Sequence, residues 1–347
     1  MRRVGLSPQL LDRLGRFPEQ ARPIAPDDMA DAMIAIRERH ATSAQIGALL
    51  MGMRIKGMTV IELKAAIEPW LEVVPKLDLV APALCVAPGL GGQMRTIGLS
   101  LPSSLVAAAA GARVCLLGGE TMPPHYGITA SDILRALGSK TTLQRTELEA
   151  SLASIGWVYA HVPLMVPSLR RLSSIRKELG IDTLIDAVEQ FLSPVGLRFV
   201  LISVPTYPMG RVFAEVLRQF GVERATVVLG EENQLDVALD HPSTLWRVQH
   251  DQIAEVTFNP REYGLDPIAL PGPQGLTLRE MARMYEEILS GQPHPYRQAV
   301  QMNAALAIYT SGIAADFQDA LRRADEALLY GTAYRKLREF RSCFALK

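Results

Sequence analysis

Between residues 27 and 70 the apolar positions recur with a helical period. Asp27 is placed to cap a segment carrying Met29, Met33, Ile34 and Ile36. Thr42 or Ser43 caps a second, with Ile46, Leu49, Leu50 and Met53 on one face, and Gly57 stops it. Thr59-Val60-Ile61-Glu62 has capping-box spacing, threonine and glutamate each satisfying a first-turn N–H, and opens a third helix. The period then changes. Leu84-Cys85-Val86, residues 114–117, residues 199–204 and residues 226–229 are short continuous apolar runs. Such runs, separated by helical segments, predict a parallel sheet covered on both faces. The intervening helices are expected at 102–110, 129–137 and 210–220, closed by Gly111, Gly138 and Gly221. Residues 145–192 read as mostly helical and return the chain to the helical domain. Further helices are expected at 278–289, 297–311 and 316–330.

These patterns predict an α/β protein with a small helical domain and a larger domain built on a mostly parallel sheet. The helical domain takes residues 27–75 and about 160–190, and the α/β domain residues 76–159 and 191–347. Residues 1–26, punctuated by Pro18, Pro23 and Pro26 and carrying Arg2, Arg3, Arg13, Arg16 and Arg22, read as a surface arm. The chain of 347 residues is 48% hydrophobic and 21% charged with zero formal net charge. No global field draws it to nucleic acid or acidic lipid. Cys85 and Cys115 sit in apolar, strand-like surroundings, which predicts buried thiols in a reducing compartment. The arginine-rich start leads into no long apolar run, and the most apolar stretch is broken by Pro102, Gly111 and Arg113. The expectation is a cytoplasmic protein without a membrane span.

Chemistry concentrates in loops. Gly89-Leu90-Gly91-Gly92-Gln93-Met94-Arg95-Thr96 joins an apolar run to the helix start at Ser100-Leu101-Pro102. Glycines let backbone N–H groups approach phosphate oxygens, and a helix N-terminus favours negative charge. Arg95 and Thr96 add a cation and a hydroxyl, and replacing Gly91 by valine is expected to block the approach. The competing reading is a tight strand-to-helix turn. A second loop runs from Gly118-Gly119-Glu120 to His125. It is either a shield or a replacement ligand set, with Glu120 on ribose hydroxyls or a metal and His125 meeting the acceptor. Glu231, Glu232 and Asp236 are oxygen donors of the kind Mg²⁺ favours, or else a solvated acidic loop. The six histidines show no metal-ligand spacing, and there is no nucleophile motif or dinucleotide fingerprint.

Several segments, in order, resemble the anthranilate phosphoribosyltransferase family, which is related to the pyrimidine-type nucleoside phosphorylases. They are residues 44–50 running through Arg54-Ile55-Lys56-Gly57-Met58-Thr59 to Glu62-Leu63, the glycine loop with Thr96 and Ser100, and residues 175–181 followed by Leu192-Ser193-Pro194. The series continues through residues 221–231, Leu289-Ser290-Gly291 and Asn303-Ala304-Ala305. The resemblance spans roughly residues 28–340. It implies a cleft between the two domains, phosphoribosyl diphosphate as donor, diphosphate at the glycine loop, a Ser100 hydroxyl near a metal, and Arg176 on the acceptor's carboxylate. It also implies a homodimer through the helical domain, where Met51, Met53 and Met58 lie near expected exposed ends.

The chain departs from that pattern at charged positions. The family's Lys-His-Gly-Asn run becomes Leu116-Leu117-Gly118-Gly119, its paired acids become Asp236-Val237, and its acceptor-site histidine falls at Val166. The expected function is therefore a divergent phosphoribosyltransferase-like enzyme that acts on an acceptor other than anthranilate. A non-catalytic binding protein for a phosphorylated metabolite is the alternative. Nucleic-acid binding has the least support, for want of a basic-aromatic stripe.

Overall fold

A computed structural model describes residues 5–15 and 22–346. Four helices come first: α1 (Pro8–Leu14), α2 (Pro26–Arg37), α3 (Ser43–Lys56) and α4 (Val60–Leu71). Capping boxes start two of them, Thr42 with Gln45 on α3 and Thr59 with Glu62 on α4. Asp27 is not a cap. Helix α2 begins at Pro26, whose fixed φ and missing N–H suit a first helical position, and Asp27 lies inside the first turn. The segment read as an arm contributes α1, whose Leu10 and Leu14 are buried, and Ile24 is buried too. Arg13 lies 3.3 Å from Asp28. Arg2, Arg3, Arg16 and Pro18 lie outside the described residues. Met51 is exposed, whereas Met53 is fully buried, so only the first of those methionines offers a free apolar surface.

The chain continues through β1 (Leu84–Ala87), α5 (Ser100–Ala109), β2 (Val114–Gly118), α6 (Ala130–Ala136), α7 (Arg145–Ser154) and β3 (Trp157–His161). Short helices α8 (Val162–Met165), α9 (Pro167–Arg170), α10 (Ser173–Leu179) and α11 (Leu184–Glu189) follow. Helix α10 packs on α3, and α11 packs on α3 and α4. Next come β4 (Phe199–Ser203), α12 (Tyr207–Gln219), β5 (Arg224–Val228), β6 (Ser243–Gln249) and β7 (Gln252–Phe258). Helices α13 (Leu278–Leu289), α14 (Arg297–Thr310), α15 (Phe317–Leu329) and α16 (Thr332–Cys343) complete the chain.

The seven strands order as β3-β2-β1-β4-β5-β6-β7, parallel from β3 to β5 and antiparallel across β5, β6 and β7. The fold is thus a small helical domain with an α/β domain on a mostly parallel sheet. Strand β3 corrects the reading of 145–192 as helical, because five fully buried residues, Trp157–His161, extend the sheet beyond β2. The crossover after β1 places the start of α5 at the carboxyl end of the central strands, where open α/β sheets bind ligands.

Candidate active site

The glycine loop leaves β1 and is held on two sides. On one side Gln93 and Ile128 exchange backbone hydrogen bonds at 3.0 and 2.8 Å, and Met122 N–H donates to Gly91 O at 3.1 Å. On the other, Gly89 N–H donates to Asn233 O at 2.8 Å, while Gln234 Nε2 donates to Gly89 O at 2.9 Å. The glycines that this packing requires are Gly89 and Gly92. A Cβ on Gly89 would lie 2.3 Å from Asn233 O, and one on Gly92, where φ is +91°, 2.5 Å from Gly127 O. A Cβ on Gly91 meets nothing nearer than 3.4 Å, so the protein's own packing does not require a glycine there.

The acidic loop fills the cradle of the glycine loop. Glu232 Oε1 accepts from Met94 N–H at 3.1 Å, and Oε2 accepts from Arg95 N–H at 2.9 Å and Thr96 N–H at 3.0 Å. The Thr96 hydroxyl adds a fourth bond at 3.0 Å, and Arg95 Nε stands 3.8 Å away. Burial alone would raise the Glu232 pKa, but these donors outweigh it and hold the carboxyl below its usual range. Glu232 reaches this position from a left-handed backbone, φ +51°, with Asn233 also left-handed. Such strain persists where surrounding contacts over-determine it. Successive N–H groups converging on one carboxylate are an anion-binding nest with its occupant supplied by the same chain.

Asp236 braces the far end of the loop. Its Oδ2 accepts from Gln93 Nε2 at 3.1 Å and from Leu99 N–H at 3.2 Å, while Oδ1 is enclosed without a hydrogen-bond partner. Burial pushes this carboxyl up to about 6. The Glu231 side chain lies outside what the structure describes. Val237, beside Asp236, is buried and apolar. The donor set does not build a divalent-cation site. Glu232 is engaged by amides, Val237 offers no oxygen, and among the described residues no group of three or more acidic, histidine or cysteine side chains is arranged to hold a metal ion.

Gly98, Ser100, Gly118 and Thr96 line one narrow cavity of about 30 Å³, against Tyr285. Tyr285 from α13 donates from its hydroxyl to Gly98 O at 2.5 Å, and burial raises its pKa. Tyr159 from β3 hydrogen-bonds Ser131 at 2.7 Å, and its hydroxyl lies 2.1 Å from where a Cβ on Gly118 would stand. Gly119 packs against Leu90. Glu120 is half-buried, and its charge partly opposes the burial that lowers the His161 pKa.

The wall facing the loop comes from α10, α11 and the turn between them. Arg176 is buried, its guanidinium 2.6 Å from Asp186 and 2.8 Å from Glu189. Burial opposes its charge, but these two acids outweigh that and keep it protonated. The cation read as an anion clamp is thus already paired twice. His125 Nε2 lies 3.7 Å from Asp182, which raises the imidazole pKa against partial burial. His125, Asp182, Asp186, Glu189 and Glu232 share one small cleft with Gly89 and Gly91. Sequence reading passed over Tyr159, Asp182, Glu189 and Tyr285. Tyr285 carries a local signal, a tyrosine on the apolar face of an amphipathic helix, but nothing local ties it to Gly98.

The glycosyl transferase family's α/β domain matches residues 87–334, and that family's helical bundle domain matches residues 8–71. Anthranilate phosphoribosyltransferase of Thiobacillus denitrificans is 30% identical over 332 residues, covering 94% of this chain and 95% of the relative. The enzyme of that name from Stenotrophomonas maltophilia strain K279a is 29% identical over 320 residues, 90% and 92% of the two chains. The crystal structure of anthranilate phosphoribosyltransferase from Thermus thermophilus superposes with a TM-score of 0.84 at 21% identity, covering 96% of this chain and 98% of that one. The Saccharomyces cerevisiae enzyme in complex with PRPP and Mg gives 0.81 at 20% identity, covering 96% of each chain. The chain belongs to the glycosyl transferase family that includes the anthranilate phosphoribosyltransferases, and it carries both the helical bundle and the α/β domain of that family.

Proposed function

We propose that this protein is a phosphoribosyltransferase-like enzyme that takes phosphoribosyl diphosphate at the glycine loop once Glu232 withdraws, and whose acceptor lacks a carboxylate. The observation that carries the reading is the nest: three successive N–H groups and the Thr96 hydroxyl, on the loop that opens α5, already holding an anion. Diphosphate oxygens present the same acceptors as the Glu232 carboxylate, with more charge.

In such a transfer the bond from the anomeric carbon to diphosphate oxygen breaks, a bond to the acceptor nitrogen forms, and that nitrogen loses a proton. Here the chain's own contribution is to neutralise the leaving diphosphate with loop amides, the α5 N-terminus and Arg95. Leu116 and Leu117 stand where the resemblance implies a lysine and a histidine, and each missing contact costs on the order of 10²–10³ in rate. The neighbouring structure contains Mg, and any magnesium here is expected to arrive on the diphosphate. Asp182, Asp186 and Glu189 repel a carboxylate, and Arg176 is unavailable to it. Anthranilate is accordingly a poor acceptor, and a neutral or cationic amine a better one.

Calorimetry with phosphoribosyl diphosphate and Mg²⁺, followed by diphosphate release with a panel of amines, tests this. Binding with release supports transfer. Binding without release for any amine leaves a binding protein, and no heat at millimolar ligand in either the wild type or Glu232→Gln rejects the reading. Assembly is proposed as a homodimer through the helical domain, supported by exposed Met51, Ile55 and Ile61 on α3 and α4. A monomer by light scattering at micromolar concentration overturns that.

A further inference from the structure

Gln190, the residue that closes α11, is buried against the carboxyl ends of the central strands β1 and β4. Its Nε2 lies 3.2 Å from Ala87 O, 3.1 Å from Ser203 O and 2.9 Å from Ser203 Oγ, so two N–H groups serve three acceptors. Because the Ser203 hydroxyl accepts from Gln190, its own proton is left to donate, and it does so to Asn233 O at 2.7 Å. The same carbonyl accepts from Gly89 N–H at 2.8 Å. Asn233 directly follows Glu232, and the two are left-handed in succession, φ +51° at Glu232 and +57° at Asn233. Residues other than glycine hold that conformation where contacts over-determine it, and here the contacts are those on Asn233 O. Ser203 is fully buried, and Gln190 keeps its amide beside it although its own Oε1 is enclosed without a partner. A half-satisfied buried amide costs stability that an apolar side chain would not, so packing alone does not explain it.

We infer that Ser203, oriented by Gln190, is a positioning residue that keeps Glu232 in the nest of the glycine loop and so closes the nest to an external anion. In its choice of diphosphate as that anion the inference rests on the function proposed above. For Glu232 to leave, its φ relaxes from the left-handed region, the peptide to Asn233 turns, and Asn233 O moves off Ser203 and Gly89. The bonds on that carbonyl are therefore made only while the nest is filled from within. They stabilise the closed state alone, and a ligand of the open nest meets an affinity reduced by the small fraction of molecules that are open. Gln190 extends this control to the helical domain. Helix α11 packs on α3 and α4, and Glu189, next to Gln190, holds Arg176. Moving α11 away from the sheet withdraws the donor that directs the Ser203 proton.

The test is Ser203→Ala in the full chain, read first without ligand. Carbon-13 titration of the Glu232 carboxyl should move up toward the usual glutamate range, and the amide shifts of Met94, Arg95 and Thr96 should change as their acceptor leaves. Calorimetry with inorganic diphosphate should then show affinity raised by roughly fivefold, the worth of one neutral buried hydrogen bond. Gln190→Met leaves the hydroxyl in place but undirected, and should shift both readouts the same way by less; it carries the test if Ser203→Ala does not fold. Ser151→Ala is the control, since it removes a buried hydroxyl bond to Trp157 O at the opposite end of the sheet and should match the wild type in both readouts. An unmoved Glu232 titration with unchanged or weakened diphosphate affinity in the folded variants would overturn the inference, as would an equal shift in Ser151→Ala. A moved titration in Ser203→Ala and Gln190→Met, with no diphosphate bound by any form, would uphold the positioning role and reject diphosphate at the nest.

Discussion

Glu232 Oε2 lies 3.0 Å from both the amide nitrogen and the hydroxyl of Thr96, so one residue of the glycine loop grips one carboxylate oxygen twice. Any external anion using the same donors competes with it. Glu232→Gln keeps the side chain's size and removes its charge. It should raise affinity for diphosphate by about tenfold or more, the worth of one charge-assisted hydrogen bond. Isothermal titration with inorganic diphosphate measures this, and unchanged affinity would place diphosphate elsewhere.

A crowded glycine and its uncrowded neighbour separate backbone need from ligand access. Gly92→Ala forces a Cβ against Gly127 O at a left-handed position and should cost at least about 2 kcal/mol. Gly91→Ala, with nothing nearer than 3.4 Å, should stay within about 1 kcal/mol. Urea denaturation of the pair decides, and equal costs would contradict the packing described.

Arg176→Met strands Glu189, which is 2% exposed, without its partner cation. A buried acid left alone typically costs about 3–5 kcal/mol. The double variant Arg176→Met/Glu189→Met should recover much of that loss. A wild-type-like melting temperature in the single variant would mean that the guanidinium is free for a ligand after all.

Asp182 raises the His125 pKa above its ordinary 6.5. The folded state therefore binds the proton more tightly, and this contribution to stability is present below pH 6.5 and lost as pH rises through the folded pKa. Imidazole NMR titration should show His125 above 6.5, and Asp182→Asn should bring it down and flatten that part of the stability profile. An unmoved titration would exclude Asp182 as the cause.

What was legible in the sequence was local. The caps of α3, α4 and α6 are four-residue motifs, and Thr42, Thr59 and Thr129 make the bonds their spacing implies. The four strands read from continuous apolar runs are all present, because burial on both faces writes itself into consecutive residues. Strand β3 carries a tyrosine and a histidine among helical neighbours, while β6 is only partly buried and β7 mostly exposed, so none of them gave that signal. The glycine loop was legible as an anion cradle, but its occupant was not. Glu232 is 136 residues from Thr96, and only the folded sheet brings them together. Arg176 likewise reads as a free cation until α11 turns Glu189 toward it.

One hydrophobic cluster runs without a break from Leu10 and Leu50 through Trp70 and Ile185 to Cys85, Val200 and Val227 under the sheet. The helical bundle and one face of the α/β domain therefore melt as a single cooperative body. The fragment ending at residue 75 should not fold by itself, since the surface it turns toward the sheet would be stripped of half its core. Circular dichroism of that fragment would reveal little helix. In evolutionary engineering terms the two family modules are not interchangeable cassettes: a bundle grafted from a relative must arrive with the sheet face it was packed against.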